Sequence, residues 1–309
     1  MGNTRFTTHS PQQQHEEYHS GDSTWLRQTI SSYLIKDESN QHDHVLILTP
    51  LKNAAAYLPT YFDLVDQLDY PKSKLSLAFL VSDTTDDTVT LLRTQQRSWQ
   101  HRYHSVHIYE KDFHFDLPED QRHQFQLQPL RRSYMARSRN YLLSAALRPE
   151  HQWVLWLDVD VVKYPTSILQ DLISVNEDVV VPNCLRLTED GSFWGYDKNN
   201  WQETEASLTL QKELDPDYVL LEGYYEFLTN RYLMVDMPTH LGRFNKVPLD
   251  GVGATFTLVK ADVHREGANF PSYAFQHQVE TEGFAKMAKA MGFGVYGLPG
   301  YIIYHAMNA

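Results

Sequence analysis

Two aspartates separated by one valine close the apolar stretch WVLWLDVDVV, Trp153 to Val162. Five apolar residues in a row suit a strand covered on both faces. On such a strand Asp158 and Asp160 point the same way, with Cα atoms roughly 6–7 Å apart. Carboxylates so placed repel, and a divalent cation between them removes the cost. Hard oxygen donors suit Mg²⁺ or Mn²⁺, whose remaining positions phosphate oxygens can fill. The pattern therefore points to a cation bridging the protein and a phosphate-bearing ligand. D-x-D is a short motif, and capping of the next element or pairing with Lys163 would account for the same residues.

Three further features bear on that chemistry. The chain is acidic, with 27 Lys+Arg against 39 Asp+Glu and a formal net charge of −12. Such a surface repels nucleic acid and lacks a polybasic membrane patch, so a phosphate ligand needs a local cation. RRSYMARSRN supplies Arg131, Arg132, Arg137 and Arg139 just upstream of the aspartates. Guanidinium forks grip phosphate bidentately, although a solvated helix face explains Arg131 and Arg132 most simply. His305 ends the last strand-like run, YIIY. A lone histidine often serves structure; as a third ligand its imidazole would favour Mn²⁺ over Mg²⁺. Glu280 and Glu282 open a helix, where the macrodipole stabilises acids without any catalysis. Asp250, in PLDGVG, also reads as a turn residue before Gly251.

These residues need a frame to bring them together. HVLILT (44–49), LSLAFLV (75–81), HSVHIY (104–109) and WVLWL read as strands, and helical stretches lie between them. Pro59 suits a first helical turn, and VETEGFAKMAKAMGF places Phe284, Met287, Ala288 and Met291 on one helix face. The alternation implies an α/β fold with a mostly parallel sheet and helices on both faces. In such sheets ligands sit beyond the carboxyl ends of the strands, where Asp83 and the Asp158/Asp160 pair should converge. The pattern loosens between about residues 184 and 248, a region holding Trp194, Tyr196, Trp201, Tyr224 and Tyr225. Their rings offer stacking faces for sugars or pack in a core. Cys184, the only cysteine, reads as a buried inert thiol and excludes an intramolecular disulfide. Residues 1–43 are polar and aperiodic, and one domain is expected over 44–309. No run of 18 apolar residues occurs, so no transmembrane segment is expected.

HVLILTPLKNAAAYL, LAFLVSDTTDDT, SRNYLL, VLWLDVDVV, VPLDGVG, ADVHREGANFP and VETEGFAKMAK together resemble the fungal Golgi mannan polymerase subunits, the Anp/Van family of α-mannosyltransferases. The likeness runs in order from about residue 44 to 305. It implies a single GT-A (Rossmann-like) glycosyltransferase domain, with a nucleotide-binding half over about 44–183 and an acceptor-binding half over about 184–309. It also implies GDP-mannose as donor, Mn²⁺ as cofactor (Mg²⁺ possible), and retention while extending the α-1,6-mannan backbone of N-glycans. Asp158, Asp160 and His305 match the metal site. Pro50, Leu51, Asn53 and Asp83 lie where such folds hold the nucleoside, and Arg139, with Arg137 near it, where they contact the diphosphate. Glu280 matches the acidic helix start near the acceptor. That motif often continues with aspartate, and Thr281 here leaves Glu280 and Glu282 both open. Asp250 and Glu222 complete the candidate catalytic acids. The family implies an α-mannoside acceptor, other mannan polymerase subunits as partners, and the Golgi lumen. Its members usually carry an N-terminal membrane anchor, which this sequence does not show. A scaffold or acceptor-binding subunit with little activity is the competing reading. An apolar strand with D-x-D also opens HAD-type phosphatases, but there the nucleophile strand comes first, whereas here earlier strands precede it.

Overall fold

The computed structural model describes residues 42–118 and 121–307, so the polar segment expected over 1–43 lies outside them except for its last two residues. Apolar runs become strands wherever both faces can be covered. β1 (Val45–Leu51), β2 (Leu75–Val81) and β4 (Trp153–Leu157) are almost wholly buried, and β3 (Ser105–Glu110) is the half-exposed edge. β5 (Val161–Lys163), β6 (Val179–Arg186), β9 (Val247–Pro248), β10 (Phe256–Lys260) and β11 (Val295–His305) complete a nine-stranded sheet. Its order is β3-β2-β1-β4-β10-β6-β11-β5, with β9 beside β11. A separate two-stranded ribbon pairs β7 (Trp201–Gln202) with β8 (Tyr232–Leu233).

The parallel sheet expected from the alternation is present in β3, β2, β1 and β4, and again in β6 and β11. β10 departs from it by running antiparallel between β4 and β6, and β5 and β9 run antiparallel to β11. An antiparallel strand buried on both faces carries the same apolar run as a parallel one, so local pattern could not give its direction. Chain order reverses between β1 and β4, which opens a crevice at their carboxyl ends.

Helices cover both faces. On one, α1 (Leu58–Gln67), α2 (Thr88–Trp99) and α4 (Ile168–Val175) bury Leu58, Tyr61, Trp99 and Leu172. On the other lie α3 (Gln128–Ala146), α6 (Ala261–Arg265) and α7 (Glu280–Ala290), with Ala136, Leu142, Val263 and Phe284 in the core. Pro59 stands in the first turn of α1, where its missing N–H costs nothing. The apolar face of α7 is Phe284, Ala285 and Ala288; Met291 is 41% exposed, because the helix ends before it. α5 (Glu205–Gln211) is a short helix of the middle region, closed by a Thr204–Ser207 capping box. Among the described residues no helix is long and apolar enough to cross a membrane.

The turn before β10 is built from close approaches. A Cβ on Gly251 would fall 2.2 Å from Cε2 of Trp201, and one on Gly253 would fall 2.0 Å from a carboxylate oxygen of Asp197. Gly253 also donates its N–H to Oδ1 of Asn200 at 2.9 Å. Gly253→Ala must push this buried loop apart, and a loss of about 1–3 kcal/mol in urea unfolding is expected. Wild-type stability in that variant would show that the loop can yield.

Candidate active site

The D-x-D pair does not lie within a strand. β4 ends at Leu157, and Asp158 to Asp160 form the turn into β5. The two carboxylates therefore part company instead of aiming at one point. Asp160 reaches Nε2 of His305 at 3.0 Å, because β5 pairs with the end of β11 and sets His305 opposite Val161. Asp158 turns to Arg139, whose Nη2 is 3.4 Å from its Oδ1. Lys163 partners neither aspartate: its ammonium sits 5.2 Å from the centre of the Tyr304 ring.

Arg139 joins three elements. It projects from α3, is 3% exposed, and donates from Nε to Glu280 on α7 at 2.8 Å as well as facing Asp158 beyond β4. Its Nη1 is buried without a hydrogen-bond partner. Seven residues earlier, two helical turns away, Arg132 binds the carboxylate of Glu282. Arg132 is thus buried, which corrects its reading as part of a solvated face. Arg137 is exposed and lies against the rings of Phe113 and Tyr134.

The electrostatics follow from this packing. Burial pushes the Asp158 carboxyl up, Asp160 and Glu280 add to that, and Arg139 pulls back, leaving it at about 7. Burial alone would lower His305, but the Asp160 carboxylate outweighs it and the imidazole is raised. Nδ1 of His305 lies 3.0 Å from the Ala306 carbonyl, and Tyr196 stacks on the ring at 3.7 Å between centres. Nε2–H faces the Asp160 carboxylate, and Nδ1–H donating to the Ala306 carbonyl would leave Nε2 free to bind a cation once it gives up its proton, the second-contact arrangement typical of metal-binding imidazoles. A separation of 3.0 Å between Asp160 and His305 is that of adjacent ligands on an octahedral ion with bonds of about 2.1 Å. The donor set thus fits a divalent cation with oxygen and imidazole ligands, although among the described residues no three such side chains form a finished cage.

The other predicted residues separate into two groups. Pro50 and Leu51 lie in β1, with the Leu51 side chain in the core. Asn53 and Asp83 both adopt positive φ. Asn53 accepts the Thr85 N–H at 2.8 Å, and the Asp83 carboxylate ties down the Phe113 and His114 amides at 3.2 and 2.9 Å. All four stand at the same sheet edge as Asp158 and His305. A cleft of about 220 Å³ lined by Val81, Thr84, Val89, Glu110, Lys111 and Asp112 opens at that edge. By contrast Glu222 is buried against Arg231 at 2.9 Å, and Asp250 binds Lys289 and the Glu203 amide. Neither contacts Asp158, Asp160 or Arg139. Of the aromatic residues, Tyr225 and Trp194 are 95% and 58% exposed, whereas Trp201 is fully buried. Cys184 is a buried free thiol on β6, and burial pushes it well up, so it stays protonated and inert.

The sequence model of the Anp1 family matches residues 28–274. The chain belongs to the Anp1 family. It is 41% identical to the mannan polymerase II complex anp1 subunit of Schizosaccharomyces pombe over 97% of this chain and 70% of that protein. It is 40% identical to the mannan polymerase II complex ANP1 subunit of Saccharomyces cerevisiae over 87% of this chain, and spans 56% of that protein's length. Among solved structures, a mannosyltransferase from Pyrobaculum calidifontis in complex with GDP-Man and Mn²⁺ overlaps 91% of this chain and 63% of its own, with a TM-score of 0.48 and 12% identity.

Behind the site of this Anp1-family chain lies a layer of ion pairs that sequence reading missed. Glu203 binds Lys286 at 2.7 Å and Arg231 at 3.4 Å. Its partners come from positions 28 and 83 residues away, so no local spacing could reveal it. Burial pushes the Glu203 carboxyl up, but Arg231 and Lys286 overcome this and hold it at about 2. An acid so depressed stabilises the fold above its unfolded value of about 4.5, and the effect is lost as pH falls toward 2. Glu203→Gln should therefore cost about 3 kcal/mol at pH 7, shrinking to nothing near pH 2. Urea titrations of both proteins across that range check it, and a pH-independent difference would contradict the assignment.

Proposed function

We propose that this chain is a glycosyltransferase that moves mannose from GDP-mannose to an α-mannoside, with retention, in extending the α-1,6-mannan backbone of N-glycans. One observation carries the reading: Asp160 and His305 meet at 3.0 Å on the sheet edge where the buried Arg139 presents an unpartnered Nη1. A cation-binding pair beside an anion-seeking guanidinium is what a nucleoside diphosphate leaving group requires. Membership of the Anp1 family supports mannan as the product, since relatives are named as mannan polymerase complex subunits. The same relatives support assembly with other subunits of such a complex; residence in the Golgi lumen as a type II membrane protein is proposed from the family resemblance alone. The strand-rich half over about 44–183 takes the nucleotide, and the half over about 184–309 takes the acceptor.

Asp160, His305 and Asp158 are the residues that would hold Mn²⁺ or Mg²⁺, and Arg139 is the one that would face the diphosphate. When bound, the cation neutralises charge growing on the leaving phosphate. The main chain at Pro50 and Leu51, with Asn53 and Asp83, lines the nucleoside end, and Arg139 with Arg137 steadies the diphosphate. The C1–phosphate oxygen bond breaks, a bond from an acceptor hydroxyl to C1 forms on the same face, and the hydroxyl proton leaves to a carboxylate or to the departing diphosphate. Glu280 is the acid assigned to this step. Alone among Glu280, Glu282, Asp250 and Glu222 it shares a cation with Asp158.

The test is transfer by the purified chain from GDP-mannose to α-mannobiose with Mn²⁺. Trisaccharide is expected, EDTA should abolish it, and Asp160→Ala should lower both Mn²⁺-dependent GDP binding and transfer by about 100-fold or more. Undiminished mannan extension by a polymerase complex carrying Asp160→Ala would favour the scaffold reading.

A further inference from the structure

The buried charges behind the site form a closed set. Arg231 has no exposed side-chain surface and lies between Glu222 at 2.9 Å and Glu203 at 3.4 Å. Its guanidinium rests 3.6 Å from the centre of the Trp201 ring. The indole N–H of Trp201 in turn donates to Oε1 of Glu282 at 2.9 Å, while Oε2 of Glu282 receives Arg132. Lys286 closes the far side on Glu203. Both oxygens of Glu282 are therefore committed, and the residue is 1% exposed.

Three cations and three carboxylates buried together offer the fold little net stability over apolar packing of equal volume. What they do provide is orientation. Glu282 stands in the first turn of α7, two residues after Glu280, which adopts φ +55°. A non-glycine residue in that region persists only where its surroundings hold it. Trp201 is itself held from behind, since any side chain at Gly251 would collide with the ring.

We propose that Trp201 and Arg231 are positioning residues for transfer: Arg231 stacks the indole so that its N–H grips Glu282, and this fixes the helix start that aims Glu280 at Arg139. The proposal rests on the glycosyltransferase reading and resolves its open pair of acids, giving Glu280 the site and Glu282 the anchorage.

Trp201→Phe keeps an aromatic ring and removes only the N–H; Arg231→Lys keeps the charge and removes the planar fork. Each should lower kcat about tenfold or more, as expected for a lost hydrogen bond to a charged group. KM for GDP-mannose and the affinity for GDP with Mn²⁺ should stay within about twofold. In the same variants hydrogen exchange at the amides of Thr281 to Phe284 should quicken at least about tenfold, with β1 and β4 unchanged. Unaltered exchange in the α7 start overturns the proposal, as does unchanged kcat. A parallel fall in GDP affinity also overturns it, because the effect would then lie in the donor site. Should the wild type transfer no sugar, the glycosyltransferase reading fails, and the exchange data still judge the clamp by itself.

Discussion

A single buried cation holds the site together. Taking a guanidinium out of water costs several kcal/mol, and only good partners return it. Arg139 finds Glu280 through Nε and Asp158 through Nη2, and its face lies 5.4 and 5.7 Å from the rings of Trp156 and Phe270. Through it the end of β4, the middle of α3 and the start of α7 become one unit. Without it, Asp158 and Glu280 would be two like charges in an apolar wall. The partnership is incomplete, since Nη1 has no acceptor. A buried donor left open in this way carries a desolvation cost that an incoming anion would remove.

The sheet explains why the acids and His305 are neighbours although 145 residues of chain separate Asp160 from His305. β11 runs parallel to β4, so its carboxyl end reaches the same edge. β10 between them enters from that edge, and the Thr255 carbonyl accepts the Asp158 amide at 3.1 Å. β5 then folds back antiparallel on β11, and the Ala306 amide binds the Asp160 carbonyl at 2.9 Å. Main-chain register therefore fixes the Asp160–His305 pair before any ligand is considered.

These facts mark the boundary of what sequence patterning reveals. β1, β2 and β4 are legible because a strand covered on both faces must be apolar throughout. The edge they share is legible for the same reason, and with it the location of Asp83, Asp158 and His305. The turn at Asp158 is not: an apolar strand and the first residue beyond it look alike until pairing partners are known. Arg132 misleads because a helix of mixed charge reads as solvated, while its partner Glu282 lies 150 residues away. The Glu203–Arg231–Lys286 group is invisible for that reason too. Periodicity reports which face a side chain occupies, and says nothing about a distant partner of opposite charge.

The two acids at the start of α7 show how far identical chemistry can diverge through packing. Both are buried and both meet an arginine from α3. Glu282 also receives the indole N–H, and burial still pushes its carboxyl up despite Arg132 and Arg231 nearby. With a partner on each oxygen and almost no exposed surface, Glu282 is tied into the packing and shielded from any ligand. Glu280 shares its arginine with Asp158, so whatever displaces Arg139 from Asp158 also changes what Glu280 feels. An anionic ligand drawing on the guanidinium would weaken its hold on both acids at once. Asp158 and Glu280 are thus coupled electrostatically through one side chain.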